Sequence, residues 1–286
     1  MPVLTMLNQK GGVGKTSCTH HLAGTLARLG RKILLVDNDP QSSLTQGFWG
    51  PVVARQIDPS ATVAGIYGGG LPYPETVIHP TGIAGIDLIP GSRRSTSHNV
   101  PDPHLADLEL QFSLRTFLDD VRDRYDFVMI DCPPNLHLCS WAALVASDHL
   151  IVPLQPEDYG AQGIIDVTES VAMVLSGPNP SLNLLGYLIT MIAPRKSIHR
   201  LYEEMLRSHY GGQVFQAMIP EAVDFVEAIA QRKPVAQYKP KGAAAKSITA
   251  FADELEARIR AFDTRGINPD SDSKTTHNLN SKLGAA

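Results

Sequence analysis

Short apolar runs recur along the chain, and segments with apolar residues at helical spacing separate them. Such runs, bounded by polar turns, are typical of buried strands, and the longer periodic segments are typical of amphipathic helices. Strands are predicted at residues 3–7, 32–36, 86–89, 127–130, 149–154, 184–192 and 214–219, and helices at residues 15–29, 105–124, 136–146, 161–175, 198–209, 222–231 and 243–262. This alternation predicts a doubly wound α/β fold, with a mostly parallel sheet that carries helices on both faces.

Two regions depart from this alternation. Residues 49–104 hold many of the glycines and prolines, including Gly68-Gly69-Gly70 and Pro101-Asp102-Pro103, and we expect long surface loops around one strand there. The tail at residues 264–286 is polar, rich in Asn, Ser and Asp, and has little to bury, so we expect it to be disordered. The predicted ordered domain therefore covers residues 1–263.

The composition limits the class of protein. The chain has 286 residues, of which 43% are hydrophobic, so it can bury the core of one large α/β domain. Its formal net charge is -4, and DNA binding would therefore need a local basic patch. Cys18, Cys132 and Cys139 lack paired metal-site spacing, and their odd number argues against a disulfide framework. No signal-like N-terminus is visible, and no apolar run approaches the ~18 residues of a membrane span, so we expect a cytoplasmic protein.

A glycine-rich segment with two lysines lies between the first predicted strand and the first predicted helix. Residues 8–16 have the sequence Asn-Gln-Lys-Gly-Gly-Val-Gly-Lys-Thr. Strand, glycine-rich turn and helix form the context of a phosphate loop, in which glycines let backbone N–H groups converge on phosphate oxygens. We expect Lys15 to reach the β- and γ-phosphates and the Thr16 hydroxyl to bind Mg²⁺. The general motif would place its first glycine at Gln9, and this chain instead carries an additional lysine, Lys10.

Three aspartates follow predicted strands. Asp37 and Asp39 come at the end of the second strand, and Asp131 comes at the end of the fourth. Because the carboxyl ends of parallel strands meet at one edge of a sheet, we expect these carboxylates to converge on the phosphate loop. Asp131 is predicted to hold Mg²⁺ directly or through water, with Asp37 near the metal. The alternatives are a chance glycine-rich turn, an aspartate that caps the turn before Pro133, and an Asx-turn at Asp37 and Asp39.

These segments resemble the ParA branch of the ParA/MinD family of deviant Walker ATPases. The resemblance rests on N-Q-K-G-G-V-G-K-T, L-L-V-D-N-D-P-Q and I-D-C-P-P, and it continues through residues 152–157 and 219–223 to residue 260. It implies a P-loop fold and a magnesium-dependent ATPase that converts ATP and water to ADP and phosphate. By this resemblance Asp39 would orient the attacking water. The implied nucleotide-binding residues are Lys10, Gly11, Gly12, Val13, Gly14, Lys15, Thr16, Ser17 and Pro220, with Lys10, Lys15 and Asp39 in catalytic roles and Thr16, Asp37 and Asp131 at the metal.

Lys10 corresponds to a signature lysine with a distinct role in this family. There the lysine crosses a nucleotide-sandwich dimer and touches the phosphates bound by the other subunit. A cation delivered in this way acts like an arginine finger, which stabilises the charge of the transition state. The resemblance therefore implies a homodimer that forms with ATP, and a solvated lysine at the edge of the loop is the alternative.

The resemblance also implies non-specific DNA binding by the ATP dimer, through basic residues of the C-terminal third. The candidates in this chain are Arg195, Lys196, Arg200, Arg232, Lys233 and Lys239. Glu221 and Asp224 stand where the family usually carries arginines that help to bind DNA. Either the DNA-binding surface of this protein lies at its other basic residues, or the protein binds something other than ordinary DNA. A solvated helix face is the alternative interpretation of the basic residues.

The function that the resemblance implies is partition of a plasmid or chromosome by a nucleoid-associated ATPase that a ParB-like adaptor stimulates. One alternative is the positioning of a protein cargo, such as a carboxysome or chemoreceptor cluster, on the nucleoid. A MinD-like membrane regulator would need a C-terminal amphipathic helix, and residues 264–286 lack an apolar stripe, so no membrane partner is expected. An iron–sulfur reductase would use Cys132 and Cys139, but their I-D-C-P-P-N setting resembles partition ATPases instead.

Overall fold

The computed structural model of the protein describes residues 1–156 and 160–266, without the side chains of residues 160–166, 265 and 266. The strands in this part of the chain are β1 (Val3–Met6), β2 (Ile33–Asp37), β3 (His79–Pro80), β4 (Ile86–Ile89), β5 (Phe127–Asp131), β6 (His149–Leu154) and β7 (Asn183–Ile189). They form one sheet in the order β3-β4-β2-β5-β1-β6-β7, in which every pair is parallel except β3 with β4. The predicted doubly wound, mostly parallel sheet is confirmed.

Helices cover both faces of this sheet. They are α1 (Lys15–Arg28), α2 (Ser43–Gln56), α3 (Val63–Tyr67), α4 (Pro74–Val77), α5 (Leu108–Val121), α6 (Leu138–Ala146), α7 (Gly160–Ser176), α8 (Ser197–Tyr210), α9 (Val223–Ala230), α10 (Val235–Tyr238) and α11 (Ala243–Gly266). Successive side chains of a strand face opposite sides of the sheet and so enter two separate apolar layers. Leu34 and Val36 of β2 join the layer that contains α5 and α6, whereas Ile33 and Leu35 join the layer that contains α1 and α11.

The prediction of a strand at residues 214–219 is wrong. Within the described residues this segment makes one isolated bridge beside β7, at Val214. Two consecutive backbone N–H groups, of Gln216 and Ala217, donate instead to the Glu254 carboxylate of α11, at 2.9 and 2.8 Å. Because a side chain holds these donors, they do not join the hydrogen-bond ladder, and the sheet ends at β7.

Residues 49–104 are not the long surface loops that their glycines and prolines predicted. The short helices α3 and α4 lie here, and Tyr67 and Val77 are buried in the apolar layer that contains α5. The two-residue strand β3 also adds an antiparallel edge next to β4. Helices of 5 and 4 residues are too short to show an apolar period in the sequence, which explains why they were missed.

The C-terminal helix α11 ends at Gly266, beyond the domain boundary predicted at residue 263. Residues 267–286, most of the predicted tail, lie outside the described residues, so the disorder expected there stays a prediction. Across residues 1–156 and 160–266, no helix is both long enough and apolar enough to cross a membrane.

Gly24 in α1 allows the close approach of the chain that leads into α10. A Cβ atom at this position would overlap Cβ and Cγ of Pro234, which immediately precedes α10. We predict that Gly24→Ala lowers the free energy of unfolding by about 1–3 kcal/mol, because overpacking outweighs the gain of about 1 kcal/mol in helix propensity. Chemical denaturation measures this change. Gly212→Ala, whose added methyl group meets open space, is the control, and a Gly24→Ala protein as stable as this control would contradict the prediction.

Candidate functional site

The glycine-rich loop lies between the end of β1 and the start of α1, at the carboxyl edge of the sheet. Gly12 and Gly14 have φ angles of 79° and 85°, a left-handed conformation that favours glycine. Gly14 is the N-cap of α1, and no side chain of the described chain caps this helix, so its first-turn N–H groups and dipole can bind an anion. Gly11 and Gly12 are exposed, Gly14, Thr16 and Ser17 are half-buried, and Val13 and Lys15 are buried.

Two polar side chains hold this loop against the sheet. Asn8 accepts a hydrogen bond from the Lys10 N–H at 2.9 Å and donates one to the Pro153 carbonyl of β6 at 2.8 Å. The Thr190 hydroxyl, just after β7, donates to the Val13 carbonyl at 2.8 Å. Neither residue was among the predicted site residues. Asn8 lies within the glycine-rich segment and could have been found there, whereas no motif marks Thr190.

Lys15 places a desolvated positive charge inside the loop. Its side chain is buried, and Nζ donates to the Asn8 carbonyl at 2.8 Å and to the Lys10 carbonyl at 3.2 Å. Burial lowers the pKa of Lys15, and the nearby Asp131 carboxylate opposes this shift. In this low-dielectric position a phosphate would meet the ammonium group with little screening by water. Lys10 is half-buried, and its N–H and carbonyl are both engaged within the loop.

Thr16 and two of the aspartates meet at the ends of neighbouring strands. The Thr16 hydroxyl donates to Asp131 Oδ2 at 2.6 Å, and Asp37 is paired in register with Asp131 across β2 and β5. Asp37 Oδ2 accepts two hydrogen bonds from Thr45, from its N–H at 2.7 Å and from its hydroxyl at 2.6 Å. The other carboxylate oxygens, Asp37 Oδ1 and Asp131 Oδ1, are buried and have no hydrogen-bond partner among the described residues.

Burial disfavours the ionised forms of these carboxylates. Burial raises the pKa of Asp131 well above the ordinary value, and the negative charge of the neighbouring Asp37 raises that pKa further. Burial raises the pKa of Asp37 to about 7, although hydrogen bonds from Thr45 oppose the shift. Burial also raises the pKa of Asp39, against the attraction of Lys15. A cation bound among these groups would therefore stabilise their ionised forms.

The oxygen donors at this position fit a magnesium ion. Mg²⁺ prefers hard oxygen ligands, keeps several waters, and is commonly held by one or two carboxylates together with phosphate oxygens. The Thr16 hydroxyl and the unpartnered oxygen of Asp131 supply such donors, and Asp37 adds a second carboxylate. In the described part of the chain, no cluster of three or more His, Cys, Asp or Glu side chains forms a metal cage from protein alone. The donor set thus suits a metal that a phosphate ligand helps to bind.

Asp39 lies at the edge of the same group and is 8% exposed. Its Oδ1 accepts a hydrogen bond from the Gln41 N–H at 2.8 Å, which is the Asx-turn that was one alternative for this residue. The turn fixes the carboxylate within the electrostatic reach of Lys15. A structural turn and a role toward the substrate are therefore compatible at this position.

Thr45 and Gly91 belong to the site although no motif marked them. The Thr45 hydroxyl accepts a hydrogen bond from the Gly91 N–H at 2.8 Å while it donates to Asp37. A Cβ atom at Gly91 would lie 2.8 Å from Cγ of Asp37, so glycine is needed for this close approach of the backbone. Gly91 lies within the region that was predicted to form surface loops, which is why its contact with the site was not expected.

Pro220 also lies at the carboxyl edge of the sheet, beside the segment that follows β7. It forms an isolated bridge with Ile192, in the segment that follows β7. A Cβ atom at Gly14 would lie 3.6 Å from Cε of Met191, so this segment also adjoins the phosphate loop. Residues 190–192 therefore connect Pro220 to the loop.

Acidic side chains interleave with the exposed cations that were predicted to bind DNA. Lys196 Nζ lies 3.4 Å from the Glu221 carboxylate. Lys239 Nζ lies 2.6 Å from the carboxylate of Asp224 and 3.2 Å from that of Glu227. The two acidic residues at positions where the family usually carries arginines thus offset two of the predicted cations.

The other four candidates for DNA binding are also exposed. Arg195 precedes α8, Arg200 lies in the first turn of α8, and Lys233 lies between α9 and α10. Arg232 Nη1 donates to the Ile229 carbonyl at 3.1 Å, so part of its donor capacity is used within the protein. Arg195, Arg200 and Lys233 are therefore the best placed of the six to meet a phosphate backbone.

The cysteines are poorly suited to an iron–sulfur cluster. Cys132 and Cys139 are free and buried. Burial raises the pKa of Cys132 well above the ordinary value and that of Cys139 to about 12. Cluster ligation requires thiolates, and burial in apolar surroundings disfavours this charged form.

Comparison with known sequences gives matches over most of the chain. Residues 1–184 match the protein family described as the AAA domain. The chain is 36% identical over 260 residues to the chromosome-partitioning ATPase Soj of Thermus thermophilus, a match that covers 90% of this chain and 96% of that protein. It is 33% identical over 262 residues to the chromosome partitioning protein ParA of Myxococcus xanthus, which covers 90% and 88% of the two chains.

Solved structures share this fold. Cobyrinic acid a,c-diamide synthase from Mycobacterium smegmatis, with a bound ATP analogue and magnesium, has a TM-score of 0.74 at 27% sequence identity, and the match covers 91% of this chain and 96% of that one. The ATP complex of McdA from Cyanothece has a TM-score of 0.76 at 20% identity and covers 91% and 96%. Because the identity to McdA is only 20%, that similarity shows a shared fold and nothing further.

The raised pKa of Asp37 gives a stability prediction for the protein free of nucleotide and magnesium. Its folded-state pKa of about 7 exceeds the ordinary 3.8, so folding disfavours the ionised carboxylate, and this penalty grows as pH rises through that window. We predict that Asp37→Asn raises the free energy of unfolding at pH 8 by on the order of 2 kcal/mol, and by much less near pH 4. The amide oxygen can still accept both hydrogen bonds from Thr45.

Urea denaturation at the two pH values measures this difference. Asp253→Asn, at an exposed aspartate of α11, is the control for a change of surface charge. An equal effect of Asp37→Asn at both pH values would show that burial of the ionised carboxylate is not the cause.

Proposed function

The chain belongs to the ParA/Soj family of partition ATPases, and from this membership we propose that it hydrolyses ATP to ADP and phosphate in a magnesium-dependent reaction. The observation that carries the proposal is the contact of Thr16 with Asp131 beside the buried ammonium of Lys15. A phosphate loop alone would also suit a protein that only binds nucleotide. The buried carboxylates with unpartnered oxygens add the metal-binding oxygens that phosphoryl transfer to water needs.

Each polar group of the site has a part in this reaction. Magnesium, when bound, would neutralise negative charge on the phosphate oxygens. Thr16 and Asp131 would hold it, with Asp37 beside them. Lys15 would exchange its carbonyl partners for phosphate oxygens. The desolvation that raises the pKa of Asp39 makes its carboxylate a stronger acceptor for a proton of the attacking water.

Lys10 would link nucleotide binding to dimerisation. Its backbone is fixed on both sides, because its N–H donates to Asn8 and its carbonyl accepts from Lys15. Two facing loops that each carry two lysines repel one another unless phosphates lie between them. We therefore infer that a homodimer forms with ATP and that Lys10 of each copy contacts the nucleotide of the other.

Lys10→Ala tests this role. The backbone contacts of Lys10 do not depend on its side chain, so we predict that the variant still binds ATP. It should lose the ATP-dependent dimer and about 10³-fold in turnover, the scale of a cation supplied in trans. Light scattering with ATP and with ADP, together with phosphate release, measures both effects. Lys32→Ala, at an exposed lysine beside the amino end of β2, is the control, and an ATP dimer of unchanged stability in Lys10→Ala would overturn the assignment.

We further propose that the ATP dimer binds DNA non-specifically and partitions a plasmid or chromosome on the nucleoid, with hydrolysis stimulated by a ParB-like adaptor. Family membership and the exposed Arg195 and Arg200 support this proposal. Positioning of a protein cargo on the nucleoid is the second candidate, and it would use the same DNA-binding surface, where Glu221 pairs with a predicted DNA-binding lysine. A MinD-like membrane role would depend on residues 264–286, almost all of which lie outside the described residues.

The salt dependence of DNA binding separates partition from a role without DNA. Each phosphate contact made by a cation changes the slope of log K against log salt by about 1. We predict that Arg195→Ala/Arg200→Ala reduces the slope of the ATP form by about 4, because the homodimer carries two copies of each arginine. Glu221→Gln/Asp224→Asn should bind DNA more tightly, because it frees Lys196 and removes one of the two carboxylates that pair with Lys239.

Mobility shifts on duplexes of unrelated sequence, at several salt concentrations and with ATP or ADP, measure these slopes. Arg28→Ala, at an exposed arginine of α1, should leave the slope unchanged. The absence of an ATP-dependent shift in the wild type would contradict DNA binding, and with it both partition and the positioning of a protein cargo on the nucleoid.

A further inference from the structure

Asn38 lies between two of the site aspartates and holds both ends of the loop that follows Asp131. Its backbone N–H donates to the Asp131 carbonyl at 2.9 Å, and its side-chain Nδ2 donates to the Cys139 carbonyl at 2.7 Å. The enclosed loop, residues 132–138, joins β5 to the first turn of α6. One buried residue therefore ties the end of β2, with its two carboxylates, to the segment that begins at the third.

Tyr67 of α3 fixes the orientation of this amide. Its hydroxyl donates to Asn38 Oδ1 at 3.0 Å, which directs the amide nitrogen to the Cys139 carbonyl. Tyr67 and Asn38 are both fully buried. An unpartnered polar group at this depth costs free energy, so the chain of two hydrogen bonds strongly favours a single geometry.

The start of α6 is held from its other side as well. The Cys139 N–H donates to Asn99 Oδ1 at 3.0 Å, and the Leu138 N–H donates to the Val100 carbonyl at 3.0 Å. The backbone at Cys139 is thus bound through both its N–H and its carbonyl. Because this anchor is fixed independently, loss of the Asn38 side chain would release the end of β2 rather than the helix.

We propose that Asn38 and Tyr67 are positioning residues that set the spacing between the strand end at residues 37–39 and the loop after Asp131, and thereby align the carboxylates for hydrolysis. The inference rests on the proposed ATPase activity and adds two residues to it, neither of which touches the reacting atoms. Misplacement of a reacting group by about 1 Å can reduce a rate by about 10²-fold, so a small release of the strand end is enough to be measured.

Asn38→Leu and Tyr67→Phe separate positioning from binding. Asn38→Leu keeps a similar volume and removes both side-chain hydrogen bonds, whereas Tyr67→Phe removes only the hydroxyl. We expect kcat for ATP hydrolysis to fall about tenfold or more in Asn38→Leu and less in Tyr67→Phe, while the Kd for ATP changes by less than about twofold. Because Tyr67 acts through Asn38, the double variant should be no slower than Asn38→Leu alone.

Two matched controls remove similar groups elsewhere. Asn179→Leu removes a buried amide that donates to the Leu144 and Ser147 carbonyls, at 2.9 and 2.7 Å, near the other end of α6. Tyr202→Phe removes a buried hydroxyl that has no partner among the described residues. We expect both controls to keep the wild-type kcat, even though Asn179→Leu lowers the melting temperature about as much as Asn38→Leu does.

Hydrogen–deuterium exchange of the nucleotide-free protein gives a readout that does not depend on activity. Amides within residues 38–42, at the strand end that Asn38 holds, should exchange faster in Asn38→Leu than in the wild type, and at the wild-type rate in Asn179→Leu. If Asn38→Leu does not fold, the milder Tyr67→Phe variant is used instead and is compared with Tyr202→Phe in the same way.

An unchanged kcat in Asn38→Leu would overturn the proposal, and so would equal losses of kcat in Asn38→Leu and Asn179→Leu. Unchanged exchange of the strand end would overturn it too. If the wild type does not hydrolyse ATP, the proposed function fails instead, and the exchange comparison still decides whether Asn38 holds the strand end.

Discussion

Three carboxylates lie buried around one buried ammonium at the carboxyl edge of the sheet, and the placement of the surrounding groups follows from this excess of negative charge. Parallel pairing brings Asp37 and Asp131 side by side, because β2 and β5 end in register. Burial favours their neutral forms, and only Thr16 and Thr45 donate to their side chains within the described residues. A metal ion bound with phosphates would restore the balance, which makes the site dependent on its ligand.

The glycine-rich loop does not hold this arrangement alone. Asn8 connects the loop to β6, and Thr190 connects it to the chain after β7. Thr45 binds Asp37 from α2, and Asn38 binds the start of α6. The site is thus fastened to elements on both faces of the sheet. Any rearrangement that a ligand causes at the carboxylates would act on those elements directly.

The features that were predictable from the sequence are those that local residue order determines. The glycine-rich loop must follow a strand and open a helix, and Asp131 must end a strand, because neighbouring residues already specify these elements. The strand at residues 214–219 failed because Glu254, distant in sequence, takes two of its backbone donors. The short helices after residue 49 failed because so few residues carry no detectable period.

The sequence by itself determined the fold class, the phosphate loop and the candidate carboxylates, since each depends on contiguous residues and on the rule that parallel strands end at one edge. Only the tertiary structure decided how these groups are held. The contacts of Asn38 with Tyr67 and of Thr45 with Gly91 join residues whose proximity no local pattern encodes. The same holds for the pairing of acidic residues with the predicted DNA-binding lysines, because a charge in the sequence does not reveal its partner.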